Sequence, residues 1–289
     1  MFEALRNFVD EQAWLDAVGG PLEKYIGLVF QEAPNGKQIQ NFLNGVWLGH
    51  PLHPMLTDVP VGAWTAGLVL DGVAGMTDSP GMEKASDLAL ATGLAAAVPA
   101  AASGFTDWHD TYGFESKLGL LHGLVMSSAV VLYSGSLIAR LAGARAAGVA
   151  LSNTGYALMA AGAYLGGDEV FDIGYPVNHT AFQHGPSDFV SVMDEGALTE
   201  GAPVKADANG TAVVLVKQGA DIFALDDTCV HAGCSLAGGT VEGQSIICPC
   251  HGSQYNLRDG SVINGPATMP EPAYDVRVTD GTIEVRARG

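Results

Sequence analysis

Positive charge is scarce in this sequence. Its 289 residues include 13 Lys and Arg against 31 Asp and Glu, a formal net charge of −18. That balance argues against a nucleic-acid partner, whose phosphates need Lys and Arg. It fits a basic protein partner, or simply solubility. Charge of either sign is sparse, at 15% of residues, where soluble domains carry roughly 25%. Hydrophobic residues make up 48%, so the deficit points to buried or membrane-embedded segments. Cysteine is limited to 4 residues, all between positions 229 and 250. Such clustering suggests one metal site and not a scattered disulfide framework. No phosphate loop, hydrolytic triad or general-base pair stands out, so the chain does not read as an enzyme by itself. The opening stretch, MFEALRNFVDEQAWLDAVGG, lacks the basic start, apolar run and cleavage site of a secretory signal. With Phe2, Leu5, Phe8, Val9 and Leu15 on roughly one face, it reads as amphipathic helix.

Composition then changes twice along the chain. Residues 1–45 are mixed and polar, with short amphipathic helices broken at Gly19-Gly20 and Pro34-Asn35-Gly36. Residues 46–166 hold apolar stretches at about 55–76, 86–104, 118–140 and 147–166, each close to the ~20 residues that cross a bilayer core. Gly and Ala dominate them, as in GLAAAVPAAASG, and small residues let membrane helices or a flat cofactor approach closely. A soluble four-helix bundle is the competing reading; all-apolar helices, which need burial on every side, favour the membrane. Asp58 and Asp71 interrupt the first stretch. Residues 167–185 form a linker. From 186 to 289 the runs VVLVKQ, IFALD, SIICP, AYDVRVTD and TIEVRARG alternate with Gly, Asp and Asn turns, the pattern of a small antiparallel sandwich or barrel. The expected fold is α + β and multi-domain: a four-helix transmembrane bundle, then a small all-β domain.

Two boxes in the β-rich part carry the chemistry. The first is Cys229-Val-His231-Ala-Gly-Cys234 and the second Cys248-Pro-Cys250-His251-Gly-Ser253-Gln-Tyr255. Each offers one thiolate and one imidazole, which suits a cluster whose two irons have different ligands. A Cys/His zinc site is the alternative, but zinc motifs pair Cys-x-x-Cys with spaced His and do not explain two Cys-and-His loops each followed by Gly. These boxes resemble those of the Rieske [2Fe–2S] domain over the C-terminal ~100 residues. The resemblance implies that Cys229 and Cys248 bind one iron and His231 and His251 the other. It also implies a Cys234–Cys250 disulfide, as in the Rieske proteins of cytochrome bc complexes, and Ser253 and Tyr255 hydroxyls that donate to cluster sulfurs and raise the potential. Gly265-Pro266-Ala267 resembles the proline loop that covers the cluster. The short loops are closer to ferredoxin-type Rieske domains.

Histidines gather near the ends of the apolar stretches. In Gly49-His50-Pro51-Leu52-His53-Pro54 both His precede Pro, which disfavours regular helix there. His122 opens the third stretch and His109 lies before it. With four spans, these and the Rieske domain fall on one side of the membrane. Imidazoles at membrane depth suggest a haem b site, with His53 and His122 the first pair, His50 the spare, and Gly119 and Gly123 making room for the macrocycle. Capping or interfacial histidines are the plain alternative. The GHPLHP segment, with Asp107 and His122, resembles a family of four-helix bacterial membrane domains of poorly defined function. Lys84, Arg140 and Arg145 favour cytoplasmic first and third loops, placing the Rieske domain outside the cell membrane. The expected function is a multi-pass, membrane-anchored Rieske electron carrier, relaying single electrons between a membrane donor and a redox protein such as a respiratory complex or cytochrome. A subunit of a quinol-oxidising or Rieske oxygenase system, or a redox sensor, are the alternatives.

Overall fold

The computed structural model describes residues 2–288, with side chains from Arg6 onward, so Phe2 and Leu5 of the expected apolar face lie outside the described side chains. Two compact units result: Met1–Gly36 with Leu52–Ile173, and Lys37–Pro51 with Gly174–Gly289.

The first unit is helical. α1 (Phe2–Asp10) and α2 (Ala13–Glu32) bury Val9 and Leu15 beside Trp108 and Leu120, while Phe8 is exposed. α3 (Gly36–Asn44) falls, from Lys37 on, in the second unit. Four long helices follow: α4 (Leu52–Thr77), α5 (Pro80–Trp108), α6 (Gly113–Leu141) and α7 (Arg145–Asp168), the last running into a π-turn over Glu169–Ile173. They pack mainly as two hairpins, α4 on α5 and α6 on α7. Among the described residues, α4, α5 and α6 are long and apolar enough to cross a membrane; α7 carries the polar run Ser152-Asn153-Thr154. Ser79 caps α5, its hydroxyl accepting from the Met82 N–H, with Pro80 in the first turn, where no donor is needed. Small residues set the packing. Trp64 stacks on Tyr133 with ring centroids 4.2 Å apart, and it presses so closely on Gly93 that a Cβ there would stand 2.3 Å from the indole nitrogen.

Asp71, which blemishes the first apolar stretch, proves to be half of a buried ion network. The Arg140 side chain is 1% exposed and that of Asp71 3%. Arg140 donates to Asp71 and Asp87 at 2.9 Å, to Ser152 at 2.9 Å, and to Ser86 and Ser136 at 3.1 Å. Arg145 adds bonds to Asp71 at 2.8 Å and Glu83 at 3.1 Å. These two arginines are therefore internally neutralised, which weakens them as markers of the cytoplasmic side. Removing one partner of such a buried pair costs about 3–5 kcal/mol. Arg140→Leu should thus lower the thermal midpoint in detergent by several degrees, and Asp71→Asn added to it should recover part of the loss. A midpoint unmoved in the single variant would show the network to be idle.

The second unit is built on two antiparallel sheets. One has six strands, ordered β1 (Val190–Asp194), β10 (Thr282–Ala287), β9 (Ala273–Thr279), β4 (Asp221–Asp226), β3 (Thr211–Gln218) and β2 (Val204–Ala208). The other has four, ordered β5 (Thr240–Glu242), β6 (Ser245–Ile247), β7 (Gln254–Asn256) and β8 (Val262–Asn264). Asn209-Gly210 and Asp280-Gly281, all with positive φ, close the β2–β3 and β9–β10 hairpins in the twist that suits antiparallel strands. β3 is buried on both faces. Val213 and Leu215 join one apolar core with Tyr274, Ile283 and Val285. Val214 and Val216 face a second core that contains Cys229, Cys248 and Tyr255. The sheet thereby seats both boxes against its apolar side.

Candidate metal centre and paired helical histidines

Each box folds as a tight turn, and the two turns are alike. In the first, the Gly233 N–H donates to Cys229 O at 2.8 Å; in the second, the Gly252 N–H donates to Cys248 O at 3.2 Å. Both glycines have positive φ, +75° and +73°, a conformation that a Cβ disfavours. The turns present one cysteine and one histidine each. Cys229 and Cys248 are buried and outside any disulfide, while Cys234 and Cys250 are joined, with Cα atoms 6.4 Å apart. The His231 and His251 rings lie 4.9 Å apart. Two sulfurs and two imidazoles thus meet between two loops, tied together by the disulfide.

The electrostatics suit ligation. Burial, with His251 and His179 nearby, pushes His231 down to about 3, so its ring is neutral. Its Nδ1 is buried without a hydrogen-bond partner among the described residues, a costly state for a ring nitrogen unless it has another use. The Cys229 thiol, donating to the Cys248 sulfur, holds that group below the usual thiol range; burial opposes it and the Cys250 and His251 N–H groups assist. A donor set of one thiol and one imidazole from each loop fits a dinuclear cluster taking its ligands in pairs.

Ser253 and Tyr255 are both fully buried beside the thiols. The Tyr255 hydroxyl lies 3.1 Å from Cys229 Sγ. Burial, then Cys229, pushes the phenol up, so it stays protonated and able to donate. Ser253 Oγ accepts from the Ala267 N–H at 3.0 Å, and its hydroxyl hydrogen-bonds Tyr255.

Three contributors carry little sequence signal. Glu271 is buried and accepts from the Val230 N–H at 3.1 Å, between two ligand positions. Burial pushes its carboxyl well above the usual range, against that hydrogen bond. Tyr175 stands edge-on over His231 at 5.0 Å and tilted to His251 at 6.2 Å. His179 donates its backbone N–H to Val230 O at 3.1 Å. Tyr175 and His179 come from the expected linker, whose residues from Gly174 on pack within the second unit. A lone acid between two prolines was the only hint of Glu271.

In the helical unit, His53 of α4 and His122 of α6 come together, with ring centroids 6.3 Å apart and planes at 90°. His53 Nδ1 donates to Ala100 O of α5, and His122 Nδ1 to Gly162 O of α7, each at 2.8 Å. Carbonyls only accept, so both protons sit on Nδ1 and both Nε2 lone pairs are left for a ligand role. His53 lies inside α4, contrary to expectation. In the first helical turn Pro54 costs no hydrogen bond, because N–H groups there have no intrahelical partner. The glycines beside the rings are Gly104 and Gly166, where a Cβ would meet His53 at 2.7 Å and His122 at 3.1 Å. Gly119, expected to leave room for a macrocycle, is filled by Trp108. His50 belongs to the second unit and bonds locally to Pro51 O at 3.1 Å. His109 is likewise local, bonding Thr106 O and Asp110.

Comparison with known proteins agrees with this division. The Rieske [2Fe–2S] domain model matches residues 188–278, and that of a predicted membrane protein family, DUF2231, matches residues 49–179. Similar proteins include the anthranilate 1,2-dioxygenase ferredoxin subunit of Burkholderia cepacia, 32% identical over 33% of this chain and 87% of that one. The cytochrome b6-f complex iron-sulfur subunit of Chlorobaculum tepidum is 38% identical over 27% of this chain; the match spans only 41% of that subunit's length. Among solved structures, the ferredoxin of carbazole 1,9a-dioxygenase from Nocardioides aromaticivorans is 31% identical, over 35% of this chain and all of that one, with a TM-score of 0.34.

Tyr255→Phe should keep the cluster and lower its midpoint potential, because one donor to the Cys229 sulfur is lost. An EPR-monitored redox titration showing no shift would remove Tyr255 from the site.

Proposed function

Since the chain belongs to the Rieske [2Fe–2S] family and joins that domain to a DUF2231-type membrane domain, we propose that it is a membrane-anchored one-electron carrier. The observation that carries this reading is the pair of matching turns, which bring two unoxidised thiols and two histidines together between disulfide-tied loops. Cys229 and Cys248 would hold one iron and His231 and His251 the other. A bound cluster supplies a centre that gains and loses single electrons, at about −150 to +300 mV for this ligand set. The protein supplies neutral imidazoles, a dry pocket, and the Ser253 and Tyr255 hydroxyls, which favour the reduced and more negative state. Those hydroxyls support the upper part of that range.

The helical unit contributes a second centre in this reading, a b-type haem held by His53 and His122. Their two imidazoles would hold the haem iron, and a bound haem would supply a second centre that gains and loses single electrons. The two rings stand 6.3 Å apart. Nδ1 bonds to helix carbonyls and a glycine under each ring support the same role.

The partner is a redox protein with a basic face, complementary to a chain of net charge −18. Direct quinol oxidation is less well supported, because His231 and His251 are 5% and 8% exposed with Tyr175 packed over them. The disulfide supports an extracytoplasmic site for the cluster domain.

One optical spectrum of protein purified in detergent tests the relay. Dithionite reduction should produce the α band of a b-type haem, and His122→Leu should abolish it while leaving the cluster signal intact. A wild-type spectrum without that band reduces the function to a single-centre carrier.

A further inference from the structure

Residues 37–51 lie outside the stretch that matches the Rieske model, yet they belong to the same compact unit. Their contact is specific. β8 is an edge strand, and Asn41 fills that edge. Its Nδ2 donates to Ile263 O at 3.0 Å and to Asn264 Oδ1 at 3.3 Å, and the Gly265 N–H donates to its Oδ1 at 2.9 Å. A side-chain amide that gives and accepts at once does what a neighbouring strand's peptide would do.

Three residues on, Asn44 is fully buried. Neither of its amide atoms has a hydrogen-bond partner among the described residues. It lies so close to Gly265 that a Cβ there would stand 2.6 Å from Asn44 Nδ2. An apolar side chain would fill this place without desolvating an unpaired amide, so packing alone does not account for Asn44.

The loop they touch, Gly265–Ala267, is also fixed on its inner side. The Ala267 N–H donates to Ser253 Oγ, and Ala267 sits in the apolar core with Cys229, Cys248 and Tyr255. We propose that Asn41 and Asn44 are positioning residues for the cluster. They clamp the Gly265–Ala267 loop so that the Ala267 N–H occupies a Ser253 lone pair and directs the Ser253 O–H to Tyr255, whose own hydroxyl lies at the Cys229 sulfur. A segment that precedes the membrane helices in sequence thereby tunes the potential of a centre that follows them. The clamp rests on the Cys/His cluster reading above.

The test uses the full-length protein in detergent, with EPR-monitored redox titration, iron content and g values as readouts. Asn41→Ala should load normal iron but shift the reduction equilibrium toward the oxidised form by about threefold or more, as expected when a donor to a cluster sulfur is misdirected. Gly265→Ala should shift it the same way. Asn44→Ala combined with Gly265→Ala should restore it, because the atom that the new Cβ meets is gone. Should Asn41→Ala lose the cluster altogether, the glycine pair decides alone. Wild-type potential and g values in both single variants, or failure of Asn44→Ala to rescue, would overturn the clamp. Absence of any reduced-cluster signal in the wild-type protein would instead overturn the cluster reading.

Discussion

Closure of two short loops against each other is the constraint on which the second unit depends. Each loop must reverse within a few residues while pointing a thiol and an imidazole to the same side. Gly233 and Gly252 permit this by turning through positive φ, a region costly for residues with a Cβ. The Cys234–Cys250 bond then ties loop to loop. Once the loops are closed, the remaining donors fall into place around them: β3 supplies an apolar floor, Tyr255 a hydroxyl at the Cys229 sulfur, and Ala267 a bond that orients Ser253. Electron transfer rewards such rigidity, because a site held the same way in both oxidation states has little to rearrange.

The helical unit solves a different problem, placing polar groups among apolar helices. Two clusters show how. Arg140 and Asp71 satisfy each other within a ring of serines and acids. His53 and His122 each spend Nδ1 on a helix carbonyl, and their rings stand 6.3 Å apart. The first arrangement is complete and therefore structural. The second leaves the Nε2 of each ring uncommitted to a helix carbonyl.

Local features were the legible ones. The boxes named Cys229, His231, Cys248 and His251 because ligand type and spacing are properties of a short stretch. The strand runs and the Asn-Gly and Asp-Gly turns were equally plain. His53 and His122, about seventy residues apart, could be suspected as a pair because both stand at ends of apolar runs. What escaped depends on contacts between distant segments. Asn41 meets Gly265 across 224 positions, and Tyr175 covers histidines from a stretch whose composition reads only as linker. Gly119 lies against Trp108, and the glycines packed against the two rings are Gly104 and Gly166. A glycine's neighbours are not written in its own sequence. Asp71 looked like a flaw in a membrane span because its partners, Arg140 and Arg145, arrive from other helices.

The proposed function stands on a one-electron cluster with two sulfur and two imidazole protein ligands. Pulsed EPR on the reduced wild-type protein tests it most directly. The reduced protein should give the signal of a [2Fe–2S] centre coupled to two histidine nitrogens, with one coupling lost in His231→Cys or His251→Cys. An EPR-silent protein holding a single zinc ion, or a reduced cluster with no nitrogen coupling, would contradict it.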